Sequence, residues 1–260
     1  MHAVRVVFHD GFHKCYSGDP AAAEGRLEQA SAALREFHPF VEAAPATPEQ
    51  IAFVHDEHHI AAVRRRDVLY EMALLSAGGA LEAARLGAAG EAAFALVRPP
   101  GHHASADSCW GFCSFNNVAI AVEALLRDPD SAIATALILD IDLHFGDGTA
   151  NIFRGRHEVT YAHPEGSTRE QWLEDCREEL STERSFDIIA VSAGFDRHED
   201  DWGQLLWTAD YETVGAWVVE VARERCGGRC FAVLEGGYDP EAIADASAAL
   251  TRGMSSPRGC

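Results

Sequence analysis

The stretch Ala136-Leu-Ile-Leu-Asp140-Ile-Asp-Leu-His144 decides how this chain folds. Residues 136–141 are almost wholly apolar, which is typical of a strand buried on both faces of a parallel sheet. If the strand continues, Asp140, Asp142 and His144 project to one side, because side chains alternate along a strand. Ligands bind at the carboxyl ends of the strands in such sheets, so the same stretch predicts a site.

Further apolar stretches predict strands and helices that alternate along the chain. The predicted strands cover 4–8, 93–97, 136–141, 159–162, 187–192 and 230–234, and the predicted helices cover 24–37, 48–66, 71–90, 117–126, 149–154, 170–180, 209–225 and 240–252. This alternation favours an α/β fold with one doubly wound, mostly parallel sheet flanked by helices. No repeat or low-complexity linker divides the chain, so we expect residues 1–260 to form a single domain.

The composition indicates where such a protein works and what it binds. The 260 residues are 47% hydrophobic, enough for a large core, and carry a formal net charge of −20 with Lys14 as the single lysine. That charge disfavours nucleic acid and anionic membranes and would attract cationic substrates, although salt adaptation would produce it equally. The chain shows no signal peptide or spanning apolar run, and its seven cysteines form no regular framework. We therefore expect a soluble, cytoplasmic protein that binds neither nucleic acid nor membrane.

A third carboxylate follows another buried strand, in Ser192-Ala-Gly-Phe-Asp196. Asp142 and His144 could hold one metal ion together with Asp196 at the same edge of the sheet. Two aspartates and one histidine leave an open coordination position for water, as a catalytic zinc site requires. Asp200 and Asp201 are nearby acids that could replace Asp196 as the ligand.

Two further polar runs supply groups for proton transfer. His102 and His103 are adjacent after a rigid Pro-Pro-Gly turn, and Asp140 and Asp147 are the carboxylates available to orient them. Tyr238 follows two glycines at the end of the last predicted strand, where a phenol could donate to a developing oxyanion. The parts together are those of a metal-assisted hydrolase.

Five motifs occur in the order found in the zinc-dependent histone deacetylase family, which includes acetylpolyamine amidohydrolases and acetoin-utilisation proteins. They are Arg98-Pro-Pro-Gly-His-His103, Gly111-Phe-Cys-Ser-Phe-Asn-Asn117, Asp140-x-Asp-x-His144, Ser192-Ala-Gly-Phe-Asp196 and Glu235-Gly-Gly-Tyr238. The chain resembles this family from about Arg26 to the last predicted helix, which implies the arginase/deacetylase fold.

The resemblance implies a role for each site residue. The metal ligands would be Asp142, His144 and Asp196; the catalytic groups would be His103 as general base paired with Asp147, His102 as electrostatic partner paired with Asp140, and Tyr238 polarising the acyl carbonyl. The candidate substrate contacts are Gly111, Phe112, Gly236 and Gly237, with Phe112 lining one wall of an acyl-lysine tunnel and the Gly111 carbonyl near the scissile amide.

The ions and the reaction follow from the same resemblance. One Zn²⁺ per chain is implied, with Fe²⁺ as the alternative, and a structural K⁺ at the backbone around Asp140, Asp142 and His144. The reaction would remove an acyl group, in the first place acetyl, from a lysine side chain or a small amine. The alternative from another class is a non-catalytic sensor of acyl amines, which loss of the histidine pair or the tyrosine would favour. A binuclear manganese ureohydrolase is disfavoured, because it needs Asp-x-His-x-Asp where this chain has Asp-x-Asp-x-His.

The chain departs from the family at four places. One is the N-terminal segment Asp19-Pro-Ala-Ala-Ala-Glu-Gly-Arg26, which stands in place of a His-Pro-Glu-Arg run. Phe145 stands where most relatives carry a second histidine, and Trp202 stands at a usual proline. The stretch 161–186 is short and lacks the glycine-rich loop that would supply the opposite tunnel wall. The sequence therefore predicts an unusually open pocket.

Overall fold

A sheet of seven parallel strands forms the centre of the protein, in a computed structural model that describes residues 3–255. The strands are β1 (Arg5–Phe8), β2 (Phe40–Glu42), β3 (Ala93–Ala95), β4 (Ala136–Asp140), β5 (Val159–Ala162), β6 (Ile188–Ala193) and β7 (Cys230–Leu234). Their order across the sheet is β2-β1-β3-β7-β6-β4-β5. The predicted α/β class with a doubly wound parallel sheet is confirmed.

Helices connect the strands, as parallel pairing requires. In the described part of the chain they are α1 (Glu28–Arg35), α2 (Pro48–Ile51), α3 (Glu57–Arg64), α4 (Asp67–Ala88), α5 (Asn117–Arg127), α6 (Asp147–Ile152), α7 (Arg169–Leu180), α8 (Thr208–Arg225) and α9 (Pro240–Met254), with short 3-10 helices at Asp10–His13 and Pro20–Ala22. None of these helices combines the length and the hydropathy needed to cross a membrane.

The core lies around the middle strands of the sheet. Every residue of β4, β6 and β7 is buried, which explains why these strands are almost wholly apolar rather than alternating. Helix α4 packs with α5 and against β1, β3 and β7, whereas α8 packs with α9 and against β6 and β7. This packing holds the carboxyl ends of the four neighbouring strands β3, β7, β6 and β4 at one edge.

Two sequence expectations differ from the structure. Strand β2 has no counterpart among the predicted strands, because its three residues are too few for a pattern and none is fully buried. The expected helix 48–66 is wrong as one element. It is interrupted after α2, since the Asp56 side chain accepts the His59 amide at 2.8 Å and begins α3 afresh. His55 therefore lies buried in the turn between the two helices.

Candidate active site

Three potential metal ligands converge where β4 and β6 end. One ligand atom each from Asp142, His144 and Asp196 lies within 4.8 Å of the others, and no other such triplet occurs among residues 3–255. His144 Nδ1 lies 3.0 Å from Asp196 Oδ2 and 3.3 Å from Asp142 Oδ1. Both carboxylates are buried, and burial together with the Asp142 charge raises the pKa of Asp196 above its usual range. A divalent cation would offset this repulsion, so the residues fit such an ion.

Backbone groups hold the two carboxylates from behind. The amides of Leu143 and Gly236 donate to Asp196 Oδ1 at 2.9 Å and to Asp142 Oδ2 at 2.8 Å. A Cβ atom on Gly236 would stand 2.5 Å from Asp142 Oδ2 and 2.8 Å from Asp196 Oδ2. Only glycine fits there, which explains why the last strand is followed by glycine beside the ligands.

The two candidate ligands that the sequence left open have other positions. Asp200 is exposed, and its carboxylate lies 3.7 Å from His198 Nδ1. Asp201 is buried, and its Oδ2 accepts the amides of Tyr238 at 2.7 Å and Asp239 at 2.8 Å. Asp201 thus fixes the backbone that carries the tyrosine and lies outside the ligand triplet.

His102 lies between two carboxylates of the site. Its Nδ1 is 3.1 Å from Asp140 Oδ2, and its Nε2 is 3.7 Å from Asp142 Oδ1. Burial alone would lower the pKa of His102, but the Asp142 and Asp140 charges raise it well above the ordinary value. Tyr161, which the sequence did not single out, donates its hydroxyl to the same Asp140 Oδ2 at 2.8 Å.

The surroundings of His103 lower its pKa, whereas those of His102 raise it. Its Nδ1 lies 2.7 Å from Asp147 Oδ1, which leaves Nε2 as the free nitrogen. Burial and the neighbouring His102 lower the pKa of His103 to about 4. The Trp110 ring packs on the imidazole at 3.9 Å between ring centroids with a 31° tilt, and its indole N–H donates to the same carboxylate, Asp147 Oδ2, at 2.9 Å. A neutral imidazole with an oriented free nitrogen is suited to accept a proton.

Tyr238 is fixed on several sides at the end of β7. The Trp202 ring stacks on it at 4.0 Å between ring centroids and 23°, and the Phe112 ring packs against it in a T-shaped arrangement at 5.7 Å between ring centroids. Arg26 donates through Nε to the carbonyl of Gly237 at 2.8 Å, which holds the preceding residue. Burial, with the Asp196 and Asp142 charges, raises the pKa of Tyr238, so the phenol stays protonated and able to donate.

Glu235 is a site residue to which the sequence alone assigns no role. It is fully buried, and its Oε2 accepts the amides of Gly101 at 2.6 Å and His102 at 3.1 Å. The end of β7 is thereby tied to the turn that carries the histidine pair. A glutamate directly after a buried strand was the available signal, but the contact spans 134 positions of sequence and depends on the fold.

The mouth of the site is bordered by aromatic side chains. Trp110, Phe145 and Trp202 are 54%, 49% and 52% exposed, although each belongs to a residue type that is usually buried. Phe112 follows Gly111, and both residues adopt positive φ angles, +66° and +58°. A Cβ on Gly111 would lie 2.5 Å from His103 Cδ2, so this turn passes close to the imidazole. We call these four aromatic residues, Trp110, Phe112, Phe145 and Trp202, the aromatic rim.

Few residues are available to form the side of the site entrance next to the end of β5. Only residues 163–168 connect β5 to α7, and they provide no loop that could face the aromatic rim. In this link, the His163 ring packs against the Phe145 ring at 5.7 Å between ring centroids, and Pro164 is buried. The link between β5 and α7 is thus as short as the sequence indicates, and the open pocket stays a prediction.

Comparison with known proteins fits this arrangement. Residues 21–170 and 161–254 match the family model described as "Histone deacetylase domain", and the two segments overlap where β5 leads into α7. A probable deacetylase of Methanothermobacter thermautotrophicus is 33% identical over 221 residues, covering 71% of this chain and 65% of that protein. The acetylpolyamine amidohydrolase of Mycoplana ramosa is 33% identical over 207 residues, covering 65% of this chain and 58% of that protein.

A solved structure supports the fold. The crystal structure of the HDA15 HD domain superposes with a TM-score of 0.81 at 23% identity, covering 97% of this chain and 91% of that one. At this identity the likeness concerns the architecture alone. The chain spans just under two thirds of the length of the Methanothermobacter protein, at 65%.

Proposed function

Because the chain belongs to the histone deacetylase domain family, we propose that it is a metal-dependent amidohydrolase that removes an acyl group, in the first place acetyl, from a lysine side chain or a small amine. The observation that carries the proposal is the convergence of Asp142, His144 and Asp196 with two histidine–carboxylate pairs at one edge of the sheet. One Zn²⁺ would bind to these three residues, with Fe²⁺ as the alternative. The ion would polarise the acyl carbonyl and lower the pKa of the attacking water.

His103 would move the proton in this reaction. Asp147 fixes its Nδ1, so Nε2 can take the proton from the attacking water and afterwards deliver it to the leaving amine. The low pKa of His103 supports the starting state, since the imidazole is neutral at pH 7. His102 would stay protonated between Asp140 and Asp142 and stabilise negative charge nearby.

Tyr238 would bind the charge that develops on the substrate. A phenol held by stacking and by a fixed backbone is a preorganised donor for the oxyanion of the tetrahedral state. Phe112 and the backbone at Gly111, Gly236 and Gly237 would border the scissile amide. Neither a serine nor a cysteine is needed as a nucleophile, so no covalent intermediate is proposed.

The test is turnover by the chain with and without metal. We expect the zinc-loaded protein to hydrolyse a fluorogenic acetyl-lysine peptide or an acetylpolyamine, and the chelated protein to be inactive until zinc is returned. Hydrolysis rates for substrates with longer acyl chains test whether the pocket is open, and we expect groups larger than acetyl to be accepted. Binding of these substrates without hydrolysis would instead support the sensor, and strict rejection of everything beyond acetyl would contradict the open pocket.

Substrate charge should also affect the rate. The net charge of −20 raises the local concentration of cations within about one Debye length, roughly 10 Å at 0.1 M salt. At low salt we expect kcat/KM for a cationic acetyl-lysine peptide to exceed that of a matched acidic peptide by roughly tenfold. The ratio should fall towards one in high salt. Equal rates for both peptides at low salt would contradict steering by charge.

A further inference from the structure

Arg197 directly follows the proposed ligand Asp196, but its side chain turns back into the protein. The residue is 7% exposed. Its Nε donates to the carbonyl of Asp142 at 3.0 Å, and its Nη2 donates to the carbonyls of Leu143 at 3.2 Å and Pro164 at 3.4 Å. A single guanidinium thus connects the segments that follow β4, β5 and β6. Two of these segments carry the proposed metal ligands.

His163 extends this network to a fourth carbonyl. Its Nε2 lies 3.2 Å from Arg197 Nη2, and its Nδ1 lies 3.2 Å from the carbonyl oxygen of Asp140. Because a guanidinium can only donate, the network assigns the imidazole proton to Nδ1, which then donates to Asp140. The ring of the buried Trp172 lies 5.6 Å from the guanidinium carbon and covers it from α7.

These contacts do not fit the expected potassium ion. Potassium in proteins replaces its water shell with several oxygen atoms, commonly backbone carbonyls. Here the carbonyls of Asp140, Asp142 and Leu143, which lie in the expected region, each already accept one N–H donor, which leaves one lone pair on each oxygen. A potassium ion would also have to lie beside the fixed positive charge of Arg197. The occupied carbonyls and the neighbouring guanidinium therefore disfavour a structural K⁺ at this backbone.

We propose that the guanidinium of Arg197 is a built-in cation that replaces potassium and makes the metal site independent of monovalent ions. A guanidinium suits this place, because its donors form a rigid fork that can reach several acceptors at fixed angles. Its charge also lies near the buried carboxylates of Asp142 and Asp196. Arg197 is thus a positioning residue: it holds the backbone of the ligands and does not contact the reacting atoms.

The first experiment needs no substitution. The protein is exchanged into KCl, NaCl or tetramethylammonium chloride at equal ionic strength. The thermal midpoint of the metal-free form and the affinity for Co²⁺, measured by its visible absorption, are then compared. We expect the same values in all three salts. Because the readouts are folding and metal binding, they do not depend on whether the protein hydrolyses an acyl amine.

The second experiment removes the internal cation. Arg197→Ala should weaken Co²⁺ binding by about 10- to 100-fold, as loss of groups that orient ligands does elsewhere. Added K⁺ or guanidinium ion should restore part of that affinity, because the freed carbonyls can accept a small cation, whereas tetramethylammonium should not. Arg197→Lys keeps the positive charge without the planar guanidinium, so its Co²⁺ affinity should lie between those of the parent and of Arg197→Ala. Arg85→Ala, at an exposed arginine of α4, is the matched control and should behave as the parent.

Two results would overturn the proposal. One is a parent protein whose thermal midpoint or Co²⁺ affinity rises with K⁺ in a saturable way, which would reveal a potassium site after all. The other is an Arg197→Ala variant that no small cation restores, or that binds Co²⁺ as tightly as the parent. If the alanine variant does not fold, the parent titration and Arg197→Lys still decide the question.

Discussion

Asp196→Ala should lose its tightly held metal ion while the protein keeps its fold. Structural zinc sites with four ligands bind with about 10–16 kcal/mol, or roughly 3 kcal/mol per ligand, so loss of one ligand should raise the zinc Kd by at least about 10²-fold. The remaining pair, Asp142 and His144, offers one carboxylate fewer to a divalent ion. Metal content after dialysis and the Kd from competition with a chelator measure the effect, and turnover should fall with metal occupancy.

The neighbouring acid provides the matched control for this change. Asp200 is exposed and lies outside the ligand triplet, so Asp200→Ala should retain one equivalent of zinc. Asp196→Asn keeps an oxygen for the Leu143 amide and separates loss of charge from loss of that hydrogen bond. If Asp196→Ala still holds a full equivalent of zinc as tightly as the parent, the ligand assignment is wrong.

Tyr238→Phe should lose turnover while it keeps metal, fold and substrate binding. The substitution removes only the hydroxyl, whereas the stacking of Trp202 and the hydrogen bond from the Tyr238 amide to Asp201 remain possible. Loss of one oxyanion donor costs about 10²–10³ in kcat in other hydrolases, and we expect the same range here with a smaller change in KM. Steady-state kinetics on the zinc-loaded protein measure both constants.

A second tyrosine tests whether the effect is specific. The hydroxyl of Tyr70, in α4, accepts a hydrogen bond at 3.1 Å from Arg64, the last residue of α3. Because this bond is not part of the candidate site, Tyr70→Phe should leave kcat near the parental value. Metal content must be equal in all three proteins, since a metal-poor sample would imitate the loss. A Tyr238→Phe variant with nearly parental kcat would place this phenol outside the chemistry.

Local pattern explains why much of the fold and of the candidate site could be predicted from the sequence. Strands β4, β6 and β7 are buried on both faces, so their sequences are almost wholly apolar runs, with Asp140 and Ser192 as the polar residues. A carboxylate follows each of these strands within three positions of its last residue, namely Asp142, Asp196 and Glu235. Once the strands are parallel and adjacent, Asp142 and Asp196 must lie near each other.

Features that depend on distant contacts could not be predicted in this way. Glu235, Asp201 and Arg197 act on backbone groups far away in sequence, and nothing in their own neighbourhoods indicates which carbonyl or amide they reach. Trp110 likewise resembles a loop residue until the fold brings its indole to Asp147. The proposed replacement of potassium by Arg197 depends on contacts of the same kind, because the motif around Asp140 does not indicate which side chain reaches its carbonyls.

The aromatic rim bears on how the protein would discriminate among compounds that compete for it. A closed tunnel discriminates among substrates by size and shape, because every added methylene must fit between facing walls. Exposed rings select by surface chemistry instead, and a cation over one such ring gains about 0.5–1 kcal/mol, only a few-fold in affinity. A few-fold difference in affinity is outweighed by differences in concentration among the competing compounds. Under the proposed function, such an entrance would favour whichever acylated amines accumulate over any single acylated compound.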